Sequence, residues 1–223
     1  FAISTIEANA TRTSDNPQLV IEPDGTLHVF WSENYAPEYL GRELYHSRST
    51  DNGATWSTPT RLSATDTQDD WDSRSSVAVD SSGQLHVIWV CGKVARCYRM
   101  SNDHGVTWTD AQSVFSPLIG SSGWDAMVAD SNGSVYWMGS MRYPEAMYTS
   151  TFTQNRWQDP PRAAVMGAGS ELVTTAHYPD IVVGLGNQLH AVMVERDAGP
   201  VLYMLGDTDA PAIAPLPLPT ATP

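Results

Sequence analysis

Ser49-Thr50-Asp51-Asn52-Gly53-Ala54-Thr55-Trp56 returns further on as Ser101-Asn102-Asp103-His104-Gly105-Val106-Thr107-Trp108. The shared frame is S-x-D-x-G-x-T-W, at a spacing of about 50 residues that signals stacked units rather than one irregular core. Each position in the frame has a mechanical role. The Asp carboxylate can accept backbone N–H groups inside its own turn, and the Gly supplies a positive φ. Thr and Trp then open the next strand, the indole acting as a large apolar plug. A third site, Ser150-Thr151-Phe152-Thr153-Gln154-Asn155-Arg156-Trp157, keeps the Ser and Trp but has lost the Asp, Gly and Thr.

A second repeat runs alongside the first. Val20 to Trp31, with Asp24-Gly25 at its centre, is answered by Val77 to Trp89 around Ser82-Gly83, by Met127 to Trp137 around Asn132-Gly133, and by Ile181 to Val192 around Gly186-Asn187. Each reads as strand, tight turn, strand. A third strand follows every time, marked by Tyr45, Tyr98, Tyr148 and Tyr203. Fourth strands are expected at 57–62, 110–115 and about 158–165. The last unit has none, because the proline-rich run after Thr208 cannot pair as an inner strand. Residues 2–8, followed by a polar link, are the expected donor of the missing strand.

The S-x-D-x-G-x-T-W frame resembles the Asp-box, or bacterial neuraminidase repeat, of sialidase-like β-propellers. That resemblance implies an all-β fold: a β-propeller of about four four-stranded blades, with the N-terminal strand closing the last blade and removing exposed edges. Sialidases usually have six blades, so half-rings joined across chains stay open as an alternative. In the family the motif lies on the face away from the active site, so Ser49, Asp51, Gly53, Thr55 and Trp56, with Ser101, Asp103, Gly105, Thr107 and Trp108, are expected to be structural. The expected organisation is a propeller over 1–210 and a Pro/Thr/Ala-rich tail or linker over 211–223, of the kind found on bacterial cell surfaces.

The totals narrow the partners. A formal charge of −13 with Lys93 as the single lysine disfavours nucleic acid and anionic membranes. No apolar run reaches the ~18 residues that membrane insertion by a helix requires. Cys91 and Cys97 are the only cysteines, and five residues between them around Gly92 suit a disulfide across a hairpin loop. A disulfide, and an N-terminus that is not Met, point to a secreted or surface-displayed chain. No cofactor and no metal are expected. His28, His86 and His190 recur in register but on different units, which fits packing. The acidic run Asp66 to Asp72 lacks a spaced calcium-loop pattern.

Loop parity assigns the faces of such an array. The links into each unit and the loops between second and third strands share one face, opposite the repeated turns. The candidate ligand-binding residues there are Tyr35, Trp71, Asp72, Arg74, Trp124, Asp125, Arg142 and Tyr178. Aromatic rings stack on the apolar faces of sugars, and charged forks hold their hydroxyls or carboxylates. Solvated loop tips are the plain alternative.

A sialidase needs three arginines on the substrate carboxylate, a Tyr–Glu nucleophile pair and an acid/base Asp, and opens with an Arg-Ile-Pro motif. Here that place reads Asp15-Asn16-Pro17, and an acid there repels a carboxylate. Arg74, Arg142 and Arg196, with Tyr143 and Glu195, are weaker catalytic candidates for a rearranged site. The expectation is therefore a glycan-recognition module on a sialidase-like propeller. A sialidase-type hydrolase, and a structural unit that self-assembles or binds through its tail, are the alternatives.

Overall fold

The computed structural model describes residues 12–35, 42–63, 72–92, 94–120, 124–160, 176–184, 186–195, 199–208 and 210–211. Among them are fifteen strands and no helix, in four antiparallel sheets. The first sheet is β1 (Arg12–Ile21), β2 (Leu27–Tyr35), β3 (Arg42–Ser49) and β4 (Thr60–Arg61). The second is β5 (Ser73–Val79), β6 (Leu85–Cys91), β7 (Ala95–Ser101) and β8 (Gln112–Val114). The third is β9 (Asp125–Ala129), β10 (Val135–Arg142), β11 (Glu145–Thr153) and β12 (Arg156–Trp157). The fourth has three described strands, β13 (Ala176–Val183), β14 (Gln188–Glu195) and β15 (Val201–Asp207). Each sheet is a meander in chain order.

The first hairpin of every unit closes as its sequence dictates. Glu22, Asp80, Asp130 and Gly184 each accept an N–H three residues on and donate to a carbonyl four residues on. Gly25, Gly83 and Gly133 supply φ of 91°, 85° and 87° in these turns. The repeated S-x-D-x-G-x-T-W turns lock themselves. Asp51 accepts from the Thr55 amide and hydroxyl at 2.8 and 2.6 Å, while Ser49 Oγ accepts from the Gly53 amide at 2.9 Å. Asp103, Thr107, Ser101 and Gly105 repeat the same three contacts. These bonds hold the Asp51 and Asp103 carboxyls down to about 2.

Two details differ from expectation. The polar stretch before Pro17 is not a linker but the start of β1, which already pairs with β2 from Arg12. A bulge between Asp15 and Gln18, with Asn16 at φ 54°, takes Pro17 and its missing N–H out of the ladder. In the third unit the fourth strand is only Arg156–Trp157, immediately after a turn with Gln154 and Asn155 at φ 53° and 61°. Gln158 to Pro160 lie outside any strand, and 161–165 fall outside the described residues. The closing strand at 2–8 and the tail from 212 also fall outside them. Among the described residues, the fourth sheet does not pack onto the first.

The core lies between consecutive sheets. Side chains along a strand alternate between two faces, so neighbours in sequence serve opposite interfaces. Val20, Phe30, Leu44 and Leu62 of the first sheet meet Val77, Val87 and Trp89 of the second. The adjacent Ala78, Ile88 and Tyr98 turn the other way and meet Val135, Trp137 and Phe152 of the third. Tyr136 and Met138 then meet Ile181, Ala191 and Met193 of the fourth. Burying a large apolar side chain contributes about 1.5–3 kcal/mol, so each interface holds its pair of sheets in fixed register.

Candidate functional site

The innermost strands β1, β5, β9 and β13 lie side by side, and a cavity opens at each end of them. At the hairpin-turn end, Glu22, Asp80, Asp130 and Gly184 border one of about 610 Å³. At the end where the four strands begin, Gln18, Ser76, Trp124, Asp125, Pro179 and Asp180 border one of about 240 Å³. All four sheets contribute to both, so the two faces inferred from loop parity are real and opposite.

A backbone irregularity recurs beside the second cavity. Three of the four inner strands carry a bulge near their start, between Asp15 and Gln18, Ser73 and Ser76, and His177 and Asp180. Asn16, Arg74 and Tyr178 sit in those bulges at φ 54°, 55° and 53°. Trp124, just ahead of β9, is the counterpart in the third sheet. The guanidinium of Arg74 lies 5.6 Å from the centre of the Trp124 ring, a cation–π contact between neighbouring sheets. Tyr178 is exposed and meets His177 edge-on, ring centres 6.1 Å apart. An arginine, an indole and a phenol are thus carried at one position of three adjacent sheets.

Polar groups behind this layer are tied down. Arg96, at the start of β7, is fully buried. Its guanidinium forms a two-pronged pair with Asp125 across the second and third sheets, and donates to the Gly120 carbonyl at 3.2 Å. Asp125 therefore borders the cavity with both oxygens occupied. Asp72 is buried as well. In the first sheet Asp15 accepts from Asn34 at 2.9 Å and from Asn16 at 2.6 Å, and Glu33 accepts from Trp31 at 2.6 Å and Ser14 at 2.8 Å.

Arg142 and Tyr143 are exposed at the β10–β11 turn, where their amides donate to the Ile119 carbonyl at 3.2 and 3.1 Å. Glu195 ends β14, opposite Ala176. Trp71 and Arg196 lie outside the described residues, as does the side chain of Tyr35. Of the arginines considered for a carboxylate clamp, Arg74 alone has a described contact inside the cluster.

At the opposite end lies a network that residue-by-residue reading missed. Glu22 Oε1 sits 2.8 Å from His28 Nε2, His28 Nδ1 is 3.0 Å from His46 Nε2, and Glu22 Oε2 is 2.5 Å from His104 Nδ1. Burial pushes His28 down and takes His46 to about 3, with His28 and Arg48 adding to the latter. Glu22 instead raises the exposed His104. The second unit repeats the theme, with His86 Nδ1 2.8 Å from the Tyr98 hydroxyl and Nε2 3.6 Å from Asp80. The available signal was the acid six positions before each His or Tyr: Glu22/His28, Asp80/His86 and Asp130/Tyr136. Ligand-type atoms of Glu22, Asp24 and His104 lie within 4.8 Å of one another, and their mutual contacts account for that closeness. Cys91 and Cys97 are joined in a disulfide across the β6–β7 hairpin.

A BNR repeat-like domain model matches residues 2–112. No curated protein sequence matches the chain. Among solved structures, the Hadza microbial sialidase Hz136 superposes with a TM-score of 0.61 at 16% identity, over 87% of this chain and 45% of that one. A Dyadobacter fermentans protein of unknown function gives 0.64 at 11% identity, over 88% and 66%. Trypanosoma rangeli sialidase, in complex with the inhibitor DANA, gives 0.62 at 13% identity, over 88% and 36%. This chain spans less than half the length of those two sialidases. The repeat shared with that domain model over residues 2–112 and the fold shared with these structures make the chain similar to the sialidase-like BNR-repeat proteins.

Proposed function

We propose that the cavity where the four inner strands begin is a carbohydrate-recognition site, in a secreted or surface-displayed module whose sheets are blades of a propeller-type array. The observation that carries this reading is the juxtaposition of Arg74 and Trp124, 5.6 Å apart, beside a cavity that Asp180 and Gln18 also border. An indole offers an apolar platform to a pyranose ring, while Arg, Asp and Gln supply the convergent polar groups that orient a ligand. The Cys91–Cys97 disulfide supports an oxidising, extracellular setting. Residues 2–8 are the proposed fourth strand of the last blade, and 211–223 the proposed tail.

Glycan-array binding by the purified chain tests the site. Binding to a defined set of glycans is expected, with at least a tenfold loss in Trp124→Ala and a weaker loss in Tyr178→Ala. Binding unchanged in both variants would remove the site. Turnover of a fluorogenic sialoside by the unmodified chain would replace recognition with hydrolysis.

A further inference from the structure

The third copy of the repeated frame has lost the residues that lock its turn but keeps its tryptophan. Arg156 stands where Thr55 and Thr107 stand in the full copies, and Gln154 where Gly53 and Gly105 stand. With no Asp to hold a wide loop, the chain reverses within Gln154 and Asn155, and β12 begins at once. Asn155 and Arg156 are left exposed, facing the outer edge of the second sheet.

Between β8 and β12, the outermost strands of the second and third sheets, runs a groove of about 410 Å³. That volume lies within the roughly 300–1,000 Å³ of small-molecule sites. Tyr98, Phe115 and Phe152 are buried at its floor, and Trp157 lies half-buried against them. Their ring centres are 5.7, 5.6 and 5.5 Å from that of Trp157, with planes at 89°, 79° and 63° to it. An indole wedged in this way is oriented before any ligand arrives, which removes an ordering cost from binding. Phe115 also carries φ 64°. That conformation is rare for a bulky residue and occurs where the surroundings impose it, ligand clamps among them. Gln112, Ser116, Asn155, Arg156 and Asp159 are all exposed and form the rim.

We propose that this groove binds a neutral saccharide unit, stacked on Trp157 and held by the rim. The composition selects the class. The indole offers an apolar face to a pyranose ring. The amides of Gln112 and Asn155 and the hydroxyl of Ser116 each donate and accept, as sugar hydroxyls do. Arg156 and Asp159 cancel, so the groove has no net charge to draw an anion onto a chain of −13. The groove is separate from the cavity at the inner strands. Three strand spacings of about 4.8 Å divide β8 from β5 and β12 from β9. The two share no lining residue, so each can be tested with the other removed.

Backbone amide shifts of the full chain, titrated with maltose, cellobiose and lactose to millimolar concentration, test the groove. Saturating shifts are expected at 112–116 and 155–159 with at least one of these sugars. They should persist in Trp124→Ala, which removes the indole of the inner cavity. Trp157→Leu, which keeps an apolar filler and removes the ring, should abolish them. Arg156→Ala and Asp159→Ala alter exposed residues and leave the packing intact. Each should weaken binding about tenfold. No saturating shift at these amides with any of the sugars overturns the proposal, as do shifts that Trp157→Leu and both rim variants leave unchanged. Shifts confined to the surroundings of Gln18, Trp124 and Asp180 overturn the groove while supporting the inner cavity. Shifts at the groove with none around Trp124 support the groove and count against the inner cavity.

Discussion

Arg96 and Asp125 form a buried two-pronged ion pair that ties the third strand of the second sheet to the first strand of the third, with Nη2 2.9 Å from Oδ1. Removing one member leaves the other charged, buried and alone, which costs far more than the pair contributes. Asp125→Ala is expected to lower unfolding free energy by about 3–5 kcal/mol, read from urea melts. The double variant Arg96→Met/Asp125→Leu should recover most of the loss, because no uncompensated charge is then left behind.

The histidine pair of the first sheet sets an acid limit. His46 is held at about 3 against an ordinary 6.5 by burial, with His28 and Arg48 facing it, and Glu22 facing His28. Between those values the unfolded chain binds a proton that the folded chain refuses. Stability is therefore complete above pH 6.5 and is lost as the pH falls toward 3, by about 1.4 kcal/mol per pH unit. Melts between pH 7 and 4.5 should show this slope, and His46→Gln should flatten it. His104, raised by Glu22, acts in the opposite sense but is exposed and screened.

The repeated turns should fail locally rather than globally. In Asp103→Ala the Thr107 amide loses its acceptor at 2.8 Å, so faster hydrogen exchange is expected at Thr107 and Val106 with sheet amides little changed. Trp108 behaves differently, since its ring meets Phe30 and His46 of the first sheet with centres 5.9 and 5.2 Å away. Trp108→Ala should lower the melting temperature, by a loss of about 3–5 kcal/mol. Uniform exchange in the first variant and an unchanged melt in the second would contradict this division of labour.

The Cys91–Cys97 bridge closes a short loop, six positions in sequence, over strands that already pair. Loop-closure entropy for so small a ring amounts to about 2 kcal/mol at most. Reduction, or the Cys91→Ser/Cys97→Ser variant, is expected to shift the melting temperature less than Asp125→Ala does, with the four-sheet fold retained by circular dichroism.

Local chemistry made much of the fold legible in the amino-acid order alone. The self-bonded Asp51 and Asp103 turns, the Gly25, Gly83 and Gly133 hairpins and the alternation of apolar residues each depend on neighbours within a few positions, so strand order and the two opposite faces could be read directly. Arg96 buried against Asp125, the Glu22–His28–His46 chain and the bulges under Asn16, Arg74 and Tyr178 depend on which sheet lies next to which. No local pattern contains that. Tyr98 and Tyr203 show the division most plainly: the same residue with the same histidine partner is buried in one sheet and exposed in the other, because burial belongs to the neighbouring sheet and not to the strand.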